Sequence, residues 1–132
     1  MNLQVGVKAL ITNDKNEYLF LRRNVSKYPG KDKRWDIPGG RIEPEESLAD
    51  ALVREVKEET NLDVDTANLR LVAAQDIFVQ DKNFHAVRLT YYANATGDVH
   101  LSEEHTEYVW LSKQDALESE LDQYVREVFE NE

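Results

Sequence analysis

Leu3, Val5, Val7, Ala9 and Ile11 alternate with Gln4, Gly6, Lys8 and Thr12, the period-two spacing of a strand with one buried face. Asn13, Asp14, Lys15 and Asn16 follow as a turn. Residues 18–21 are apolar on both faces and predict an interior strand paired back on the first as a hairpin. Trp35, Ile37 and Pro38 form a short extended piece, with Trp35 expected in the core and a pocket wall as the alternative. Residues 69–73 and 77–79 predict strand material interrupted near Gln75 and Asp76. Beyond a turn at Asp81, Lys82 and Asn83, the alternation of Val87, Leu89, Tyr91, Ala93 and Ala95 marks a long strand closed by Gly97 and Asp98. Residues 108–111 make one more short strand.

Two stretches carry helical spacing instead. Ser112, with Asp115 three residues later, opens a C-terminal helix bearing Ala116, Leu117, Leu121, Tyr124, Val125, Val128 and Phe129. Ser47, with Asp50 as a capping-box partner, opens a central helix at Leu48 that runs to about Thr60. Asn61 stops it, because a short amide side chain tolerates positive φ. Strands mixed with two helices far apart in sequence imply an α/β fold whose sheet is covered on both faces. All 132 residues are expected to form a single domain.

The central helix is unusual in its acids. With about 100° per residue and Glu55 at zero, Glu59 lies about 40° to one side and Glu58 about 60° to the other. Leu48, Ala49, Leu52, Val53 and Val56 form an apolar arc that these carboxylates border, while Asp50, Arg54 and Lys57 lie on the remaining side. Like charges at these spacings repel by about a few tenths of a kcal/mol per pair. Anions near a helix C-terminus also oppose the macrodipole. A hard divalent cation removes the conflict, since Mg²⁺ prefers oxygen ligands and binds substrate phosphates as well. Gly39 and Gly40, just before the helix, allow a backbone carbonyl to approach the same cation. A solvated acidic helix is the bland alternative, disfavoured by the overlap of the acids with the apolar border.

Gly40, five residues, Glu46, seven residues, then Arg54-Glu55-Val56-Lys57-Glu58-Glu59-Thr60-Asn61-Leu62 resembles the signature box of the Nudix hydrolases over residues 40–62. Asn61 is its one departure, standing where the family usually has Gly. The resemblance implies an α/β/α sandwich with a mixed β-sheet and a loop-helix-loop catalytic motif. It also implies a Mg²⁺-dependent hydrolase, with Mn²⁺ able to substitute, acting on a nucleoside diphosphate linked to another group. By the same resemblance, the Gly40 carbonyl, Glu58 and Glu59 bind the principal cation, and Glu55 is a ligand or the base. Glu46 adds a further ligand or a structural contact, and Glu104, preferred over Glu103, contributes a carboxylate from a later loop. Glu55, Glu58 and Arg54 are the expected catalytic residues, with the choice of base open. On the helical wheel Arg54 faces away from the acids and could orient one only with a bent side chain.

Charge narrows the partners. With 26 acidic against 16 basic residues the net charge is −10, which disfavours broad binding to nucleic acid or to an anionic membrane. A small nucleotide-type substrate is the expected partner, and the chain is expected to be a monomer or homodimer. Residues 22–34 reverse the overall balance, with Arg22, Arg23, Lys27, Lys31, Lys33 and Arg34 against Asp32 alone. Some of these, Arg22 and Arg34 above all, are expected to draw substrate phosphate toward the metal; a solvated loop bent at Pro29 and Gly30 is the plain alternative. Cysteine is absent, there is no long apolar run, and the N-terminus lacks a signal-peptide pattern, so a cytoplasmic location is expected.

His85, His100 and His105 lack metal-site spacing and are read as surface or pocket-edge residues. Phe78 is the candidate for stacking on a base, with Phe84 and Tyr92 as further candidates, although core packing is the favoured role of each. The Pro and Tyr that mark ADP-ribose and dinucleoside polyphosphate subfamilies beyond the box are absent, residues 77–80 reading Ile-Phe-Val-Gln. The expected substrate is therefore a nucleoside triphosphate, including oxidised ones, cleaved to NMP and pyrophosphate. A nucleotide-sensing module without turnover and a hydrolase of a non-nucleotide diphosphate are the alternatives.

Overall fold

The computed structural model describes residues 1–24, 26 and 34–132. Lys27, Lys31, Lys33 and the bend at Pro29 and Gly30 lie outside the described residues. The elements are β1 (Asn2–Ile11), β2 (Tyr18–Arg23), β3 (Gly39–Arg41), α1 (Leu48–Thr60), β4 (Asp63–Val79), β5 (Phe84–Thr96), β6 (His105–Leu111), α2 (Lys113–Leu117) and α3 (Gln123–Glu130). β1 lies inside a four-stranded sheet of order β3-β1-β5-β4, antiparallel to β3 and parallel to β5, while β2 and β6 form a separate antiparallel pair.

The expected hairpin of the first two strands does not form. Among the described residues their backbones pair only at an isolated bridge between Thr12, just past β1, and Tyr18. The turn itself is as expected, with the Asn13 N–H donating to the Glu17 carbonyl at 3.0 Å. Beyond it the chain steps from one sheet to the other, because β2 carries apolar groups on both faces. Leu19 and Leu21 enter the core under α1, whereas Phe20 enters the core under α3. β1 divides in the same way near its end: Val7, Ala9 and Ile11 face the first core and Leu10 the second, while Leu3 is exposed.

β4 is one continuous element. Gln75 and Asp76, the expected break, pair with Arg88 and Val87, and the register shifts instead between Asp65 and Arg70 and between Leu71 and Ala73. The C-terminal helix, in contrast, divides in two. The Trp35 N–H donates to the Glu120 carbonyl and the Asp122 N–H to the Trp35 carbonyl, so this segment pairs with an extended neighbour instead of continuing the helix. Asp122 Oδ1 then accepts the N–H groups of Tyr124 and Val125 as the N-cap of α3. Trp35 is half-buried against the second core, as expected.

α1 begins and ends where the caps place it. Ser47 Oγ accepts the Asp50 N–H at 3.1 Å, and Asn61 sits at φ 69°, ψ 6° with its N–H on the Lys57 carbonyl. Ser47→Ala is expected to cost about 1 kcal/mol of unfolding free energy, measured by urea denaturation with an unchanged slope. The buried face of α1 is Ala51, Leu52, Val56, Glu59 and Thr60, rotated from the expected arc so that Leu48 is exposed. Glu55, between Ala51 and Glu59 on the wheel, therefore lies within the packed side and not at its margin.

Candidate active site

Gly39 and Gly40 belong to the short strand β3, paired with Lys8 and Val7, and not to an open loop. Gly39 has φ 143°, and a Cβ there would fall on the Val7 carbonyl oxygen. A Cβ on Gly40 would fall on Glu55 Oε2. Both positions thus require glycine because backbone and carboxylate pack in direct contact. The Gly39 N–H donates to Glu59 Oε1 at 2.9 Å, which pins the more buried box carboxylate against the strand.

Arg54 does what the helical wheel made difficult. Its side chain bends back along α1: Nε donates to Glu46 Oε2 at 2.8 Å and Nη2 to Glu46 Oε1 at 2.9 Å, a two-pronged pairing. Nη1 donates to Glu55 Oε1 at 2.9 Å and reaches Glu58 Oε1 at 3.5 Å, and Nη2 also meets the Arg41 carbonyl at 3.1 Å. One guanidinium therefore holds three carboxylates and the end of β3. The Arg54 hydrogen bonds, with help from the Glu43 N–H, lower the Glu46 carboxyl to about 2. Glu45, in the loop that presents Glu46, takes a left-handed φ of 69°. The Glu46 carboxylate in turn accepts the Glu43 N–H, which ties this turn together.

A segment remote in sequence completes the acidic group. The His100 N–H donates to the Thr60 carbonyl and the Ser102 N–H to the Glu59 carbonyl, satisfying free carbonyls at the C-terminal end of α1. The Asn24 N–H donates to the Glu104 carbonyl at 2.8 Å. Fixed from both sides, this segment brings ligand atoms of Glu104 and His105 within 4.8 Å of one another and of Glu59. Burial pushes the Glu59 carboxyl up to about 7, with Glu55 and Glu104 adding to the rise and Lys8 and the Gly39 N–H opposing it. Burial also raises Glu55 despite Arg54, and lowers His105 to about 4, aided by Arg23 and Lys8. Burying like charges this closely is unfavourable without a counter-cation. The donors are mostly hard oxygens, so the group fits a divalent cation.

Beside the acids, a cleft of about 360 Å³ opens along β1, β3, β4 and β5. Lys8, Arg23, Arg41 and Arg88 give it cationic walls, Ile77 and Phe84 give it apolar ones, and Gly39 and Gly40 line it where it meets the acidic group. Arg34 lines a smaller recess of about 40 Å³ that it shares with Glu59, His105, Asp36 and Asp122.

Two expected substrate contacts lie elsewhere. Arg22 is not among the residues lining the cleft; its guanidinium lies 4.0 Å over the Trp35 ring and 3.7 Å from Glu107, and the next residue, Arg23, faces the cleft instead. Phe78 is exposed and stacks on His85 at 4.5 Å between ring centroids, because strand alternation turns it away from the cleft that Ile77 lines. Of the aromatic candidates Phe84 reaches the cleft. Tyr92 lines a separate cavity of about 670 Å³ and hydrogen-bonds Glu132.

Glu55, Glu58 and Glu59 thus share one end of α1 with Gly40, Arg54 and Glu104. Glu58 is the most exposed of the three helix acids, its side chain being 58% exposed against 15% for Glu55. His105, Arg88 and Asp36 also belong to this neighbourhood and were not candidates from sequence. For Arg88 and His105 the basic or polar character of these positions in β5 and β6 was the one hint; Asp36, between β2 and β3, gave none.

The same arrangement recurs in known proteins. The family model described as the NUDIX domain matches residues 2–131. The chain is 36% identical over 91 residues, 69% of its length, to an 8-oxo-dGDP phosphatase of Danio rerio, of which those residues make up 25%. The chain therefore spans about a quarter of that relative's length. It is 30% identical over 112 residues to the CTP pyrophosphohydrolase of Escherichia coli, covering 85% of this chain and 78% of that one. The crystal structure of a MutT protein from Methanosarcina mazei superposes with a TM-score of 0.82 at 31% identity, over 98% of this chain and 92% of the other. With the box residues gathered at one end of α1 and the match running through both sheets and the C-terminal helices, the chain belongs to the Nudix hydrolase family.

Proposed function

We propose that this domain is a Mg²⁺-dependent pyrophosphohydrolase, able to use Mn²⁺, that cleaves nucleoside triphosphates, oxidised ones included, to NMP and pyrophosphate. The observation that carries the reading is the convergence of Glu59, Glu55 and Glu104 beside a cation-lined cleft. Relatives named as an 8-oxo-dGDP phosphatase and a CTP pyrophosphohydrolase support a nucleotide substrate. Gly40, Glu55, Glu58, Glu59 and Glu104 would hold the cation, which supplies charge neutralisation on the phosphates and a more acidic bound water.

The residues of the chain do the rest. Lys8, Arg23, Arg34 and Arg41 draw the phosphates toward the acids and keep the reacting phosphorus in place. A box carboxylate, Glu55 or Glu58, accepts the proton of the attacking water as its oxygen bonds to phosphorus, and the bridging phosphorus–oxygen bond breaks to release pyrophosphate. Arg54 holds the acids at fixed angles and touches no substrate. A closed, dry site is not required for this, since positioning and charge supply most of the acceleration in phosphoryl transfer.

The test is product-resolved turnover with Mg²⁺ on dNTPs, oxidised dGTP, ADP-ribose, diadenosine polyphosphates and nucleotide sugars, run beside Glu58→Gln. Cleavage of a triphosphate to NMP and pyrophosphate, reduced by about two orders of magnitude or more in the folded variant, is the expected result. Unchanged activity in Glu58→Gln would remove that residue from the site. Metal-dependent binding with no product would turn the reading to a sensing module, and cleavage only of substrates without a base to a non-nucleotide hydrolase.

A further inference from the structure

The cleft beside the acids has two unlike ends. Gly39 and Gly40 pair with Lys8 and Val7, so the acidic group meets the cleft at the level of Lys8. Alternation carries the same face of β1 from Lys8 through Gly6 to Gln4, about 13 Å away at about 3.3 Å per residue, and all three line the cleft. Their register partners on β5 are Thr90, Arg88 and Ala86, and Ile77 of β4 pairs with Ala86 in turn. At the Gln4 end the floor is thus a single methyl group, Ala86, flanked by Ile77 and Phe84. In the middle the floor is bare. A Cβ on Gly6 would approach no atom closer than 3.5 Å, and Gly6 is not among the residues with positive φ, so neither packing nor backbone requires glycine there. The charge of Arg88, opposite Gly6, is held by Asp36, whose Oδ1 accepts from Nη2 at 2.9 Å. Gln4 is half-buried, and among the described residues its carboxamide has no hydrogen-bond partner. It is a polar group set against an apolar wall at the end of the cleft far from the acids.

We propose that Gln4 is a specificity-determining residue whose carboxamide hydrogen-bonds the edge of a nucleotide base lying on Ala86 between Ile77 and Phe84. The inference rests on the nucleotide reading above and adds how the base is recognised. With the phosphates at Lys8 and the acids, the span to Gln4 matches the reach of a nucleotide from phosphate to base edge. Bare backbone at Gly6 lets the sugar cross the strand. A carboxamide offers a donor and an acceptor side by side, and turning it over exchanges the two. It therefore pairs with adenine and cytosine, which set an amino group beside a ring nitrogen, and equally with guanine, which sets a keto oxygen beside an N–H. The site distinguishes a base from no base and accepts several bases.

The experiment measures binding of the α,β-methylene analogues of GTP and ATP, and of inorganic tripolyphosphate, to the native protein, Gln4→Leu and Gln4→Glu. Calorimetry with Mg²⁺ gives the affinities, and turnover of GTP and ATP is run beside it. Gln4→Leu is expected to weaken both analogues by about 2- to 10-fold, as for a neutral hydrogen bond, and to leave tripolyphosphate unchanged. Gln4→Glu offers two acceptors, which suit the adjacent N1–H and amino group of guanine and oppose the N1 lone pair of adenine. The guanine-to-adenine affinity ratio should rise by about 10-fold or more over native, as for hydrogen bonds to a charged group. Added repulsion of the phosphates acts on both analogues and cancels in the ratio. A ratio unchanged in folded Gln4→Glu, or a loss in Gln4→Leu as large for tripolyphosphate as for the analogues, overturns the assignment. Should a variant not fold, NMR of the native protein decides: the Gln4 side-chain amide resonances move with the GTP analogue and not with tripolyphosphate, and unmoved resonances overturn the proposal. Native protein that binds neither analogue loses the nucleotide reading and this proposal together. Ratios that shift as expected without turnover of GTP or ATP would instead fell the hydrolase reading and leave Gln4 as the base contact.

Discussion

Glu59→Gln is expected to abolish turnover, by about three orders of magnitude or more, while making the metal-free protein more stable at neutral and alkaline pH. The amide can still accept the Gly39 N–H, so the contact that fixes this side chain survives. What changes is the charge. Glu59 is 7% exposed, and burial raises its carboxyl from 4.5 to about 7. An acid whose folded pKa is raised destabilises the folded state once both states are ionised, above about pH 7, and contributes no penalty below its unfolded value. The gap between 4.5 and about 7 corresponds to a ceiling of about 3 kcal/mol. The stability advantage of the variant should thus be absent near pH 4.5 and grow to a plateau above about pH 7.5.

His105, whose lowered pKa works the other way by withdrawing stability as pH falls from 6.5 to about 4, lies within 4.8 Å of Glu59 and feels the substitution, so the difference between the two proteins is read above pH 6.5, where His105 is neutral. Addition of a divalent cation should reverse the order, since only the protein with the intact carboxylate gains binding energy. Thermal melts from pH 5 to 8.5, with and without Mg²⁺, read both effects. A variant that melts with the native protein at every pH would show that Glu59 carries no buried charge.

Arg54→Lys is the second large effect expected. Lysine keeps the charge and the stem but offers one rotating ammonium in place of a planar fork. It cannot pair with both oxygens of Glu46 while also holding Glu55, Glu58 and the Arg41 carbonyl, as Arg54 does. The carboxylates then lose their fixed directions, and about 10- to 100-fold in cation affinity or activity should follow. Activity measured over a Mg²⁺ titration separates the causes. A higher cation requirement with partial recovery at saturation is the expected pattern, whereas native Mg²⁺ dependence would show that the Arg54 contacts do not orient the acids. Because the Arg54 contacts are partly open to solvent, fold stability should change little.

Much of the box was legible because its determinants are local. The Ser47 cap, the αL stop at Asn61 and the 13 residues between them depend on neighbours within one or two helical turns. Arg54 was harder. A helical wheel records where a Cβ leaves the helix and not where a long side chain ends, and the guanidinium curls back to Glu46, eight residues earlier. Phe78 and Arg22 were misplaced for a related reason: strand parity in an isolated sequence does not say which face meets the cleft. In both cases the residue next in the chain, Ile77 or Arg23, faces it.

The hairpin and the single C-terminal helix failed on pairing. Each segment found its partner far away in sequence, β2 with β6 and Leu121 with Trp35, and local pattern carries no information on such partners. The acids of α1, the strand periods, the caps and the family followed from the order of residues alone, since each rests on short-range geometry or a fixed spacing. The bend of Arg54, the arrival of Glu104 and His105 beside Glu59, and the anchoring of Arg88 by Asp36 were decided only by the tertiary structure. These are meetings between segments tens of residues apart, set by which surfaces exclude water together and which buried polar groups find partners.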